Sequence, residues 1–566
     1  MNRTYTIRLL SSAAFVVALT AAFTASAQVV PNTARPTTVE RDNRIDSVRP
    51  EVGGAPVISA PTRERKKSGS GASFALKGIK IEGASVYGEK ELGPIYADKI
   101  GTKLTLDDLN AVADDVTAYY RNKGYILTRA VLPPQRATGG VVTLRIVEGY
   151  VNDVRFAGDY DKGNKDKLQA YANKIKNAKP LNTEDLERYL LLMEDLPGVD
   201  ARAVLTPAAK ATGASDVVVT ITRKPINFNV GIDNRGNKFL GPVQANAGVF
   251  FNDVLGLDDV TQLRVSNSIF NRSELVFGEI RHTEQVGNEG TTVSLSANKV
   301  NTQPGSTLKP LDIKGTSSAI TINATHPLIR SRRTNWFVTS DLTFRNVEVD
   351  TLGTSLYKDK TRVLNIGTAY DFVDAGSGIN KIEANVAKGF NWDTSAGLNA
   401  RSRANGQTSF VKETAKLTRI QPLWGAFSLY GAASGQYSND PLLASEEFTV
   451  GGAEFGSAYD SAEISGDSGV AARAELQYNQ VIDGGYLSQY QLYGFYDIGK
   501  VWNENPIPGS ENKSDSLASA GLGARFNVLE SISGTVEGAV PMTRQVASRN
   551  NAGDDARLFM SLQYRY

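Results

Sequence analysis

Residues 557–566 read RLFMSLQYRY. Leu558, Met560, Leu562, Tyr564 and Tyr566 fall on one face of an extended chain, with Ser561, Gln563 and Arg565 on the other, the two-residue period of a half-buried strand. The same alternation runs through 361–372, where Leu364, Ile366, Tyr370 and Phe372 oppose Asn365, Gly367 and Asp371. It returns in 469–479, where Val470, Ala472, Ala474, Leu476 and Tyr478 oppose Arg473, Glu475, Gln477 and Asn479. These apolar faces are small or aliphatic, with tyrosine toward the strand ends. The inner faces of a soluble sandwich carry bulkier, interdigitating side chains. Lipid needs no interdigitation, and aromatic residues favour its interfaces.

Candidate strands begin near Asn227, Val243, Thr261, Glu274, Thr291, Ser318, Trp336 and Thr361. More begin near Ile379, Gln407, Phe427, Gly469, Gln489, Leu517, Ile532 and Arg557, which makes sixteen between 225 and 566. About 21 residues per strand and connection suit membrane-crossing strands of ~9–11 residues. The expected fold of this region is an all-β, antiparallel transmembrane barrel of about 16 strands, because closure pairs every backbone amide where lipid offers no partner.

Two smaller units precede it, expected at 74–149 and 150–224. Each starts with a strand (74–83 and 151–158), then has two helical stretches and two further strands. Leu104-Thr-Leu-Asp-Asp-Leu109 is echoed by Leu181-Asn-Thr-Glu-Asp-Leu186, and Thr105 with Asp108, like Asn182 with Asp185, supplies a helix cap and an acid in the first turn. Leu109, Val112, Val116 and Tyr119 form an apolar stripe at helical spacing, as do Leu186, Leu190 and Met193. TRAVLPP at 128–134 then matches ARAVLTP at 201–207. The order β-α-α-β-β, repeated at a period near 75 residues, describes tandem α+β domains.

Residues 1–27 carry Arg3 and Arg8, an apolar run from Leu9 to Phe23, and Ala25-Ser26-Ala27. This is the pattern of a secretory signal peptide cut before Gln28, with an uncleaved anchor as the alternative. Residues 28–73 are polar, contain Pro31, Pro36, Pro50, Pro56 and Pro61, and include the basic run Arg63-Glu-Arg-Lys-Lys67. They are expected to be a Pro-rich linker or a plug segment, with a weak helical pattern over 37–49.

Composition excludes several functions. There is no cysteine, so no disulfide framework, thiolate metal site or cysteine nucleophile is possible. The two histidines, His282 and His326, do not suggest a zinc centre, and His326 before Pro327 is expected at a turn. Against 62 Lys and Arg stand 60 Asp and Glu, without the basic surplus of a nucleic-acid binder. Mean hydropathy of −0.26 argues against a helical membrane protein. No phosphate loop or catalytic constellation occurs, and the adjacent acids Glu446-Glu447 and Asp554-Asp555 are expected to be solvated loop charge. No enzyme, cofactor or metal is expected.

Several stretches, in order, resemble one family: VLPPQRATGGVVTLRIVEG at 131–149, GIDNRGNKFLGP at 231–242, EEFTVGG at 446–452, SGDSG at 465–469 and FYDIG at 495–499. From about Phe74 to Tyr566 the chain resembles the two-partner secretion transporters of Gram-negative outer membranes. These are TpsB proteins of the haemolysin-activator (ShlB/FhaC-like) type, with POTRA repeats before a BamA-related barrel. The resemblance implies a pore in outer-membrane lipid with POTRA units in the periplasm. It would act as a monomer, be inserted by the barrel-assembly machinery, and export one large TpsA-like exoprotein such as an adhesin or haemolysin. Two rivals are a barrel-assembly factor, against which the two-repeat count and Pro133-Pro134-Gln135 weigh, and a passive porin or receptor with periplasmic modules.

The resemblance further implies a sixth extracellular loop folded into the lumen, with an arginine of a V-R-G-F/Y tip meeting the aspartate of F-x-D-x-G. Here the tip aligns as Gly456, Ser457, Ala458 and Tyr459, so serine stands where the arginine is expected. Alternation turns Phe495 and Asp497 inward from a strand that ends in Gly499, and a carboxylate there either seeks a cation or stands solvated. Arg473, inward on the preceding strand, is the candidate partner. For passenger docking, the third strands of the repeats are the expected exposed edges, through Val141, Thr143 and Arg145 in the first and Val217, Val219 and Ile221 in the second, with the groove beside the second helix as the alternative.

Overall fold

The computed structural model describes residues 30–44, 73–208, 213–392, 401–482, 484–508, 511–529, 531–549 and 553–566. The expected signal peptide and the basic run 63–67 lie outside the described residues. Within the expected linker, Pro36–Asp42 forms a short helix, α1. It is buried rather than solvated, for reasons given below.

The first repeat comprises β1 (Phe74–Ala75), β2 (Gly78–Glu82), α2 (Glu89–Tyr96), β3 (Lys103–Leu104), α3 (Leu106–Asn122), β4 (Arg129–Val131) and β5 (Val141–Val147). The Thr105 hydroxyl accepts from the Asp108 N–H at 3.2 Å, and the Asp108 carboxylate accepts from the Thr105 N–H at 2.7 Å, a reciprocal cap that fixes where α3 starts. Its apolar stripe, Val112, Ala113, Val116 and Tyr120, packs on Leu144 and Ile146 of the sheet. The second repeat comprises β6 (Tyr150–Gly158), α4 (Lys165–Asn177), α5 (Thr183–Glu194), β7 (Val199–Pro207) and β8 (Ala214–Arg223), around a core of Leu168, Tyr171, Leu190, Met193, Val217 and Val219.

The strand order corrects one expectation. The sheets run β2-β5-β4 and β6-β8-β7, so the third strand of each repeat is central. Each pairs parallel with the first strand of its unit and antiparallel with the second. The ladders through Val141, Thr143 and Arg145, and through Val217, Val219 and Ile221, are therefore occupied on both sides, and no peptide can add there. β2 and β6 are edges instead. The crossover through both helices carries the chain past its first strand to the second, one strand-width away, and the hairpin back then inserts the third strand between them.

The barrel strands in its first half are β9 (Ile226–Asp233), β10 (Gln244–Asn252), β11 (Asp259–Ser268), β12 (Leu275–Val286), β13 (Thr291–Thr302), β14 (Lys314–Arg330), β15 (Thr334–Thr351) and β16 (Thr354–Val373). Then come β17 (Ile379–Gly389), β18 (Val411–Pro422) and β19 (Phe427–Ser438). A small separate hairpin, β20 (Phe448–Val450) with β21 (Ile464–Gly466), precedes β22 (Ser468–Val481), β23 (Leu487–Trp502), β24 (Ser514–Val528), β25 (Ile532–Pro541) and β26 (Arg557–Arg565). Sixteen strands close in one antiparallel ring, with β26 returning to β9. Gln407 makes only an isolated bridge with Leu442. His326 lies within β14 rather than in a turn; a register shift at Pro327 absorbs the missing amide, and its Nδ1 sits 2.8 Å from the Thr291 hydroxyl.

The outward faces carry Val265, Leu295, Ile366 and Leu476, each about half or more exposed. At the periplasmic ends aromatic rings meet in groups: Phe228 with Tyr564 and Tyr566, Trp336 with Tyr370, and Phe427 with Trp424 and Tyr478. Such a girdle suits the lipid headgroup boundary. No helix among the described residues is long and apolar enough to cross a membrane.

The second repeat is clamped beneath the barrel. Glu289, in the β12–β13 turn, receives Lys174 at 2.7 Å and Arg188 at 3.3 Å, while Asp195 takes two 2.9 Å bonds from Arg330. Beside this pair, burial pushes the Glu194 carboxyl up to about 7, reinforced by Asp195 and Asp200 and opposed by Arg330 and Arg332. The folded chain thus keeps a proton that the unfolded chain loses near 4.5, so stability falls as pH rises from about 4.5 through about 7. Glu194→Gln should remove this dependence. Helical circular dichroism melts of the full chain in detergent should show the variant gaining stability over wild type as pH rises across that window, with the advantage vanishing at its acid end.

A plugged lumen as the candidate functional site

A helix of seven residues does not hold together in water. α1 persists because the barrel wall completes it. Pro36 occupies its first position, where the missing N–H costs nothing. Val30, Ala34 and Val39 pack against Phe277, Val300, Val347 and Tyr357 of the wall. The Glu40 carboxylate accepts from Arg345 Nε at 3.1 Å and Nη2 at 3.0 Å, and from the Ser317 hydroxyl at 2.8 Å. Arg345 Nη1 reaches on to Glu446 at 2.8 Å, and Lys412 closes the chain on Glu446 at 3.0 Å. Glu446 is therefore a buried, twice-paired carboxylate and not solvated loop charge. Its partners lie 101 and 34 residues away, so no local pattern reveals them. Asp554 and Asp555 are exposed, as expected.

The segment between β19 and β22, the sixth extracellular loop, also turns into the lumen. α1 and this loop touch directly. Asn32 donates to Ser465 at 2.8 Å, Arg41 to Thr449 at 2.6 Å, and Ser461 to Asp42 at 2.7 Å. Together they leave a polar cavity of about 1530 Å³, lined by residues such as Arg264, Glu279, Asn323 and Asn385.

At the loop tip Gly456 has φ +86°, and a Cβ would stand 2.8 Å from Leu517 Cδ1, so glycine is required on both counts. Ser457, Ala458 and Tyr459 are buried. The Ser457 N–H donates to Asp497 Oδ2 at 3.2 Å, and Arg473 Nη1 approaches the same oxygen at 3.3 Å. The Arg473 guanidinium also bonds the Ser457 hydroxyl, and Asp497 Oδ1 accepts from Ser519. Phe495 lies 4.0 Å under the Arg473 guanidinium. Gly499 leaves room for β20, since a Cβ there would fall 2.5 Å from Val450 Cγ1.

The surrounding charges balance. Glu475, Asp497 and Glu537 meet Arg473, Arg525 and Arg235, with Arg473 bonded to all three acids at 2.7 to 3.3 Å and Arg525 gripping Glu475 through two 3.0 Å bonds. Buried carboxylates need such cover. A guanidinium offers five donors in a plane, and Arg473 uses them on side chains from three strands and the loop. Higher up, Arg403 joins Asp467 at 2.6 Å and Glu511 at 2.8 Å, and Asp467 also accepts from the Leu442 and Glu504 N–H groups. Sequence reasoning missed Glu40, Arg345, Lys412 and Arg403. Each has charged neighbours in sequence, such as Arg41 beside Glu40 and Glu413 beside Lys412, but none of these is its partner across the lumen, and only inward alternation marks the strand members.

The profile of the haemolysin secretion/activation proteins ShlB/FhaC/HecB matches residues 213–526, and that of the ShlB-type POTRA domain matches 74–149. The chain belongs to this secretion family. Among relatives, it is 24% identical over 463 residues to the heme/hemopexin transporter protein HuxB of Haemophilus influenzae (strain 86-028NP), covering 81% of each chain. It is 22% identical over 460 residues to the outer membrane transporter CdiB of Dickeya dadantii, covering 77% of this chain and 80% of that one. Among solved structures, CdiB from Escherichia coli superposes with a TM-score of 0.72 at 22% identity, covering 90% of this chain and 94% of that one. Like others of the family, the protein is an outer-membrane transporter of two-partner secretion, with its POTRA domains in the periplasm.

Removing one partner from a buried ion pair costs ~3–5 kcal/mol, whereas an uncharged isostere that keeps some hydrogen bonds costs less. Arg473→Ala should therefore lower the temperature at which the folded barrel loses its compact electrophoretic band by more than Asp497→Asn does. No lowering in Arg473→Ala would mean that the cluster does not hold the fold.

Proposed function

We propose that this transporter moves one large exoprotein of the TpsA type, adhesin- or haemolysin-like, from periplasm to cell surface as an extended chain. The observation that carries this reading is the manner of closure. The two lumenal obstructions, α1 and loop six, contribute no strand to the wall and are held by side-chain contacts. Both can leave without breaking a barrel ladder. A fixed porin constriction would be built from the wall itself.

Docking is assigned to the first repeat. β2 is an edge strand, and beside it runs a groove lined by Ile79, Ile81, Ala84, Tyr87 and Glu89. An extended segment can pair with the free backbone groups of β2 while its alternate side chains enter the groove, which asks little of sequence. α1 and loop six then give way, Glu40 leaving Arg345 and the tip leaving Asp497 and Arg473. The freed carboxylates and guanidiniums line a wet passage, interrupted by the apolar patches on which α1 and the loop had rested. Folding of the passenger outside supplies the direction.

Two measurements test this. Glu40→Ala removes the anchor of α1 and should raise the mean conductance of the full-length protein in planar bilayers several-fold; an unchanged trace would refute a plugging role for α1. Filling the groove with Ala84→Trp should cut secretion of the cognate exoprotein about tenfold or more while leaving conductance alone. Undiminished secretion would refute docking at β2.

A further inference from the structure

The barrel's ladders are uneven. Between β9 and β26 the pairing covers only 229–233 against 561–565, shorter than between any other neighbours in the ring. Above it, no described strand pairs with 557–560 on that side. Asn234 stands in for one: its N–H donates to Met560 O at 3.2 Å, its amide group donates to Leu558 O at 3.0 Å, and its Oδ1 accepts from the Met560 N–H at 2.6 Å. There the backbone bonding ends and two arginines take over. Arg235 follows β9 and Arg557 opens β26, and their guanidiniums lie 4.2 and 4.8 Å from the ring of one buried residue, Phe559. Arg235 also bonds Glu537 of β25 at 2.6 Å.

Both arginines turn their remaining donors to the same short piece of loop six. Arg235 Nη1 lies 3.5 Å from Ser457 O, Arg557 Nη1 donates to Ala458 O at 2.8 Å, and Arg557 Nη2 to Asp460 at 2.7 Å. The geometry points to the loop-six tip as the fastening of the barrel seam: it binds the first-strand side through Ser457 and the last-strand side through Ala458 and Asp460, where the ladder has run out. Arg235 and Arg557 are thus positioning residues that tie the state of the loop to the state of the wall. When the tip withdraws, Arg557 loses a buried carboxylate and a carbonyl together, and the seam is left with its five-residue ladder, the Phe228–Tyr566 backbone pair below it and Asn234 above it. The wall therefore gains freedom along this line when the lumen has to widen. The fastening does not depend on what crosses the lumen, so its test contains no export step.

Hydrogen exchange of the full-length protein in detergent micelles, followed by mass spectrometry, reads the seam directly. In Arg557→Ala the amides of 229–233 and 561–565 should exchange about tenfold faster or more, while those of β15 and β16 on the far wall keep wild-type rates. Wild-type rates at the seam, or an equal acceleration around the whole ring, would overturn the inference. Should Arg557→Ala fail to insert, Asp460→Asn weakens one of the same contacts and is read in the same way: faster exchange confined to the seam supports the fastening, and unchanged exchange overturns it.

Discussion

Backbone amides inside lipid have no water to bond with, and this one constraint organises the molecule. A sheet that must leave no edge closes into a ring, and alternation along each strand then sorts side chains without further instruction. One parity meets hydrocarbon. The other meets the lumen, where Arg473, Glu475, Gln477, Asp497 and Glu537 collect, although alternation alone does not say which of them pair. A ring of sixteen strands encloses more space than its own side chains fill, so an open channel is the default outcome. The closed channel found here needs separate elements, and α1 and loop six are those elements.

How they are held bears on how they work. A plug built into the wall would be permanent, and one resting on apolar contact alone would bind any greasy segment in transit. Here each element is fastened by charge pairs and hydrogen bonds to wall side chains together with an apolar patch, Phe277, Val300, Val347 and Tyr357 behind α1 and Phe495, Leu517 and Phe559 behind the loop. Such contacts are strong in a closed, narrow lumen and weak once water enters. Arg345 serves Glu40 of the plug and Glu446 of the loop base together, so the two obstructions share an anchor.

Much of the architecture was legible because it is periodic. Sixteen two-residue alternations with turn residues between them predicted the ring, and the repeated helix opening at Leu104 and Leu181 predicted the paired α+β units. What misled was local inference about non-local placement. The third strands of the repeats look like edges because they come last in each unit, yet the parallel return beside the first strand puts them in the middle. Glu446 looks like loop charge because no base is near in sequence, yet Arg345 and Lys412 reach it across the lumen. Residues 36–42 could be read as linker or as plug, because a seven-residue helix has no stability of its own and its sequence does not show what would complete it.

The sequence by itself determined which faces meet lipid and how many strands close the ring. These follow from spacing, which any chain carries locally. Only the tertiary structure decided which charges pair, which strands are edges, and that a serine at 457 is compensated by an arginine sixteen residues away on the wall. Ring closure brings distant positions to one point of the lumen, and an electrostatic partner is chosen by distance in space, which spacing along the chain does not encode.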